Sequence, residues 1–186
     1  MRPLAALNDS KQVDPEERER LFHAVLAVAS RVSIRVIPAA VIDADGLHRS
    51  NLWGLRTVLD DLPEADVCLV DGFRLGPLAR THRAVVDGDT KSAAIAAASI
   101  VAKVTRDRLM HRLDALHPHY GFASHVGYIT PSHTAAVRLH GPCSQHRRSF
   151  NAKAYRPRDA DAGAGAVEIT TAPLPALSPA ARTRAA

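Results

Sequence analysis

Val67-Cys68-Leu69-Val70-Asp71-Gly72 reads as a buried strand that ends on a carboxylate. Its apolar run is too continuous for a strand on an exposed edge. In open α/β sheets ligands gather at the carboxyl ends of strands, where Asp71 would sit. An aspartate before a glycine is also an ordinary turn corner, so position alone leaves both readings open. A second acidic stretch follows in Val85-Val86-Asp87-Gly88-Asp89-Thr90-Lys91, and then a small-residue run from Ala93 to Lys103 that continues into Thr105-Arg106-Asp107-Arg108. The pattern predicts a long helix from near Asp89 to about Leu116, stopped by Pro118. Asp89 is suited to cap that helix, accepting from free backbone N–H groups at the positive end of the dipole. The same position keeps a carboxylate ionised and turned outward, as a hard cation requires. If Asp71 and Asp89 converge they make half of a magnesium or manganese site, with Asp87 beside them. Asp107, deep in the helix between Arg106 and Arg108, reads as one side of a surface ion pair. The alanine run lets the helix pack closely and holds its Asp89 end rigid.

Outward from this centre, strand and helix signals alternate, which gives an α/β class with a mixed sheet and flanking helices. Asp14 and Pro15 start a helix whose apolar face is Leu21, Phe22, Val25, Leu26 and Ala29. Val32, Ile34 and Val36 alternate with Ser33 and Arg35, which predicts a half-buried strand ending near Pro38. After a loop at 43–46, Ser50 can cap a helix with the stripe Leu52, Leu55, Val58, Leu59 and Leu62, closed by Pro63. Residues 73–83 read as a loop and 84–86 as a short strand. His119 to Tyr128 is irregular, and Thr130-Pro131 opens a last helix that Gly141-Pro142 ends. Residues 1–150 are read as one domain. The segment 151–186, rich in Ala, Pro, Gly and Arg, is expected to be a disordered tail.

The chain has 186 residues, a formal charge of +5 and a pI of about 9.7. That balance favours a polyanionic partner. Its two cysteines, Cys68 and Cys143, make no disulfide framework, and no run reaches the length of a membrane span. The expected setting is cytoplasmic. Basic residues gather after position 90: Lys91, Lys103, Arg106, Arg108, Arg112, Arg138, Arg147 and Arg148. They form either a solvated face or a set of phosphate-backbone contacts. His117, His119, His125, His133, His140 and His146 lack the spacing of a helical zinc pair, and no cysteine pair supports zinc, so a structural zinc site is not expected. Tyr128 follows Gly127 on the irregular segment. Its ring either anchors a loop or stacks on a sugar or base.

Taken together, Asp9-Ser10-Lys11, Val70-Asp71-Gly72, Gly88-Asp89, the block Ile95 to Met110, Tyr120-Gly121-Phe122-Ala123, His125-Val126-Gly127-Tyr128-Ile129-Thr130 and Gly141-Pro142-Cys143 with His146-Arg147 resemble ribonuclease HII. The resemblance runs in order over roughly residues 7–150, and Gly88 to Met110 is its most specific part. It implies a ribonuclease H-like fold and an endonuclease that cuts the RNA strand of RNA–DNA hybrids, including single ribonucleotides embedded in DNA. It further implies a monomer that uses two divalent cations, Mg2+ or Mn2+, held by four carboxylates. Asp71 matches the third of these and Asp89, 18 residues on, the fourth. Tyr128 resembles the tyrosine that reads the junction between ribose and deoxyribose, and Lys103, Arg106 and Arg147 are expected to support backbone contacts. Asp107 matches a regular position outside the four. Asp87 stands where the family usually has lysine. The first two carboxylates, an adjacent Asp-Glu pair, and the Gly-Arg-Gly loop after them have no counterpart here. The expectation is a chain truncated at its N-terminus, either an active nuclease whose start was misplaced or an inactive remnant that binds nucleic acid weakly.

Overall fold

Asp14 begins the first helix by the mechanism its chemistry suggests: its Oδ1 accepts from the backbone N–H of Glu17 at 3.0 Å, with Pro15 in the first turn. The structure, a computed structural model, describes residues 13–150. These all lie in the first of two units, Met1–Tyr155 and Arg156–Ala186. The expected tail at 151–186 and the Asp9-Ser10-Lys11 match lie outside the described residues.

Helix α1 (Pro15–Val28) buries Leu21, Phe22 and Val25 against Ile100, Val101 and Val104 of the long helix α5 (Ala93–Leu116). Leu21 and Ile100 are wholly buried at the centre of this contact. Around its rim, Arg108 of α5 pairs with Glu19 and lies over the Phe22 ring, 4.5 Å from its centroid. The α1–α5 pair is the larger of the cores. The other joins Met110 of α5 to Tyr120, Phe122 and Val137.

Residues 31–38 form no strand, contrary to the alternating pattern of Val32, Ile34 and Val36. No strand among the described residues runs beside this segment, and alternation without a neighbouring ladder cannot make a sheet. Side-chain bonds anchor it instead: Ser33 Oγ donates to Asp61 Oδ2 at 2.5 Å, and Arg35 pairs with the same carboxylate at 2.6 Å. The expected loop at 43–46 is largely helical. Helix α2 (Ala39–Asp45) and helix α3 (Leu47–Asp60) meet at Gly46, whose φ of 85° permits a break that other residues resist. Ser50 is therefore not a cap. It is buried inside α3, and its hydroxyl has no hydrogen-bond partner among the described residues. The exposed carbonyls at the end of α3 are met by Arg80, which donates to Leu59 O at 3.0 Å and Leu62 O at 2.6 Å.

Strand β1 (Leu69–Asp71) pairs in parallel with β2 (Arg83–Val85), Asp71 opposite Val85. This two-stranded sheet is the one described, and Val67 is 75% exposed. The expectation of a strand covered on both sides therefore does not hold for its first residue. The connection between β1 and β2 is tethered at Leu75, fully buried, whose carbonyl accepts from Arg56 Nε at 2.8 Å. Three further helices complete the described chain: α4 (Gly88–Lys91), α6 (Phe122–His125) and α7 (Pro131–His140). Thr130 caps α7 as predicted, its hydroxyl accepting from His133 N–H at 3.1 Å. The class is mixed α/β, a small sheet flanked by helices.

Ile100→Ala should lower unfolding free energy by about 2–5 kcal/mol, the usual cost of emptying a fully packed site. Val36→Ala, at a position 62% exposed, should change it by less than about 0.5 kcal/mol. Urea denaturation of the two variants side by side tests this assignment of the core.

Candidate functional site

The end of β1 and the start of α4 are joined by one hydrogen bond. Gly88 N–H donates to Asp71 Oδ1 at 2.9 Å. A side chain at position 88 would put a Cβ 3.0 Å from that same oxygen and 2.5 Å from Ile95 Cδ1, so the approach depends on glycine. Asp71 is exposed and Asp89, the residue after Gly88, is half-buried, so the Asp71 side chain is bonded to the backbone of the residue that precedes Asp89. The helix does not begin as the sequence suggests. Asp87 holds the N-cap position in a left-handed conformation (φ 52°), and Asp89 falls in the first turn. A break at Ser92 then separates α4 from α5. Asp89 still faces the positive end of a helical turn, but it is not the cap. Two carboxylates are hard oxygen donors that suit Mg2+ or Mn2+, ions that take one or two carboxylates and complete their shell with water and phosphate. Among the described residues no group of three or more His, Cys, Asp or Glu could hold a metal ion.

Lys103, Asp107 and Tyr128 form a second cluster. Lys103 Nζ donates to both Asp107 oxygens, at 2.6 and 2.8 Å, and lies 5.6 Å from the centroid of the Tyr128 ring. Arg18 Nη1 approaches Asp107 at 3.6 Å from α1. Asp107 is thus the ion-pair residue expected of it, and it fixes the ammonium against the exposed Tyr128 ring. Arg106 Nη2 donates to Val126 O at 3.3 Å, under the same turn. Arg147 belongs to a different cluster, its guanidinium 4.7 Å from the Phe150 ring centroid. That loop is tied to α2 by Asp43, which accepts from Arg148 N–H at 2.8 Å and Ser149 N–H at 2.9 Å. The Ser149 hydroxyl and amide hold the Asp43 carboxyl below the usual carboxylate range.

Three histidines converge in a way their spacing does not signal. His125 and His133 are buried and stack with centroids 4.0 Å apart, and His133 Nε2 meets His146 Nε2 at 3.1 Å. Backbone partners define the tautomers, because amides only donate and carbonyls only accept. His125 Nδ1 accepts from Gly127 N–H (3.1 Å), and its Nε2–H donates to Tyr120 O (2.8 Å). His133 Nδ1–H donates to Tyr128 O (2.9 Å). His146 Nδ1 accepts from Cys143 N–H (3.1 Å), leaving its Nε2–H to donate to His133 Nε2. All three rings are neutral. Burial holds His133 and His146 below the ordinary histidine value.

The profile of the ribonuclease HII family matches residues 2–153. This chain belongs to that family. Among curated relatives it is 49% identical to the ribonuclease HII of Nocardia farcinica over 148 residues, covering 79% of this chain and 59% of the relative. It is 47% identical to that of Mycolicibacterium smegmatis, again over 79% of this chain and 54% of the relative, and 48% identical to that of Mycobacterium avium, over 79% and 64%. The chain thus spans between 54% and 64% of the length of these relatives. Membership places it in a family of hydrolases. No described helix is long and apolar enough to cross a membrane.

Gly88→Ala should force Asp71 and α4 apart and cost about 1–3 kcal/mol, as overpacking does. A thermal-denaturation comparison with the parent chain reads this. The histidines give a pH signature. Unfolded histidine takes a proton near pH 6.5, whereas folded His133 and His146 resist it to lower pH. Stability is then complete above about pH 6.5 and falls as pH drops from there toward the depressed folded values. Urea midpoints between pH 7.5 and 5 should fall accordingly, and fall less in His146→Gln.

Proposed function

We propose that Asp71 and Asp89 are metal ligands of an endonuclease that hydrolyses the RNA strand of RNA–DNA hybrids and cuts at single ribonucleotides in DNA. The observation that carries this reading is the Gly88 N–H bond to Asp71 Oδ1, which holds one carboxylate at a strand end beside the residue bearing the other. Membership in the ribonuclease HII family and the net charge of +5 support it.

Mg2+ or Mn2+, when bound, would activate water for attack on the phosphodiester and stabilise the leaving 3′ oxygen. This chain's own residues do the rest. Asp71 and Asp89 supply carboxylate oxygens toward the reacting phosphate. Gly88 N–H holds the Asp71 carboxylate through its Oδ1. Tyr128 offers its exposed ring to the sugar at the ribonucleotide, and Lys103, held by Asp107, adds positive charge beside it. Arg106 and Arg147 support the backbone on either side.

A second reading is favoured by one observation on the sequence. The 186 residues contain no Asp-Glu pair, and so none followed by Gly-Arg-Gly. On that reading the chain alone binds hybrid duplex weakly without cutting it. The two readings part in one assay. On the first reading the 186-residue chain, given Mg2+ or Mn2+, cuts a duplex carrying one ribonucleotide; on the second it cuts little while binding the duplex in a salt-sensitive manner. Clear cutting that Asp71→Asn abolishes would show that the two carboxylates suffice and would remove the second reading. Binding indifferent to salt would remove both.

A further inference from the structure

Tyr128 stands on a turn that its own backbone resists. Val126, a β-branched residue, has φ 44°, and Gly127 follows at φ 85°. A β-branched residue in the left-handed region persists only where its surroundings fix it. Some of the contacts that do so are local: Val126 N–H donates to Phe122 O at 2.9 Å, and Tyr128 N–H to His125 O at 2.8 Å. Two come from other helices: Arg106 of α5 donates its Nη2–H to the Val126 carbonyl at 3.3 Å, and the second comes from α7. His133, in the first turn of α7, donates its Nδ1–H to the Tyr128 carbonyl at 2.9 Å. That donor exists only while the proton sits on Nδ1, and in water neutral histidine favours the other nitrogen. The choice is set from both sides, by the Tyr128 carbonyl, which can only accept, and by His146, whose Nε2–H occupies His133 Nε2. His146 is in turn oriented by Cys143 N–H on its Nδ1.

We propose that His133 and His146 are positioning residues for Tyr128: a chain of neutral imidazoles, running from Cys143 N–H through His146 and His133 to the Tyr128 carbonyl, fixes the turn that presents the tyrosine ring. The inference rests on the reading of Tyr128 as the ring that meets the ribonucleotide. A proton added to His133 would set two N–H groups, its own and that of His146, against each other across 3.1 Å, so the chain works only when both rings are neutral. The groups facing them are His125, stacked on His133 from α6, and Cys143, whose Sγ lies 3.1 Å from His146 Nδ1. Beyond these are His117 at the end of α5, which disfavours charge on His146, the Tyr120 ring 4.9 Å from that of His146, and Arg106 under the turn.

The test uses the whole 186-residue chain and two variants. His133→Asn keeps an amide N–H close to the place of Nδ1–H, and His133→Leu removes it. Long-range proton–nitrogen correlation spectra of the parent should show His133 protonated on Nδ1 and His125 and His146 on Nε2. On acidification, the Tyr128 amide and ring signals should move with the same midpoint as His133. The ratio of affinities for a duplex with one ribonucleotide and for an all-DNA duplex should fall about tenfold in His133→Leu, the weight of one ordinary hydrogen bond, and stay near the parent value in His133→Asn. His133 found protonated on Nε2, or Tyr128 signals that ignore its titration, would overturn the proposal. If His133→Leu fails to fold, the Asn variant and the tautomers still decide. If the parent itself does not tell the two duplexes apart, the reading of Tyr128 fails, while the spectra judge the histidine chain on their own.

Discussion

The hydrogen bond from Gly88 N–H to Asp71 Oδ1 is the constraint on which the candidate site depends. It does two things at once. It ties the end of β1 to the first turn of α4, and it fixes the rotation of a carboxylate that would otherwise swing freely at the surface. The bond requires a residue without a side chain at position 88, since Ile95 fills the space a Cβ would need. Ile95 lies in the first turn of α5, which α1 buttresses through Leu21, Phe22 and Val25. The site is therefore only as rigid as that helix pair. Of the alanine run, Ala96 is buried and Ala97 packs against the α1 contact, whereas Ala93, Ala94, Ala98 and Ala102 are exposed, so the run does not pack as a whole.

What could be read from sequence was what local chemistry decides. Asp14-Pro15 and Thr130-Pro131 start helices where their caps say, and Asp107 forms an ion pair as expected, although its partners are Lys103 and Arg18 rather than the flanking Arg106 and Arg108. The parallel sense of β1 and β2 does not follow from local chemistry, because two apolar runs joined by a loop carry no signal of strand direction. Long-range geometry was not legible. Asp43 binds the backbone of residues more than a hundred positions away, and no periodicity announces that. His125, His133 and His146 are spaced as no single helix face would space them, and only the packing of α6 and α7 around Tyr120 and Phe122 brings them together. The strand expected at 32–36 failed for a related reason. Alternation records which side chains can face a core, but it does not provide the neighbouring ladder.

Charge is distributed with the same economy. Lys103 is not a loose surface cation: Asp107 takes its hydrogen bonds, and its ammonium lies over the Tyr128 ring. Its charge is thereby localised at the ring. Arg106 steadies the turn below, and the neutral histidines steady it from the side. The carboxylates and the aromatic ring are held by separate devices. One is a hydrogen bond from the start of α4 to the end of β1, the other a hydrogen-bond chain among imidazoles.

The central claim is that Asp71 and Asp89 act together on a hard cation. Titration of the 186-residue chain with Mn2+ alone, followed by paramagnetic broadening of its amide signals, tests this most directly. The account predicts broadening that begins at Asp71, Gly88 and Asp89, is displaced by excess Mg2+, and is lost in Asp71→Asn. Broadening centred instead on His133 and His146, or spread evenly over exposed carboxylates and unchanged by Asp71→Asn, would contradict it.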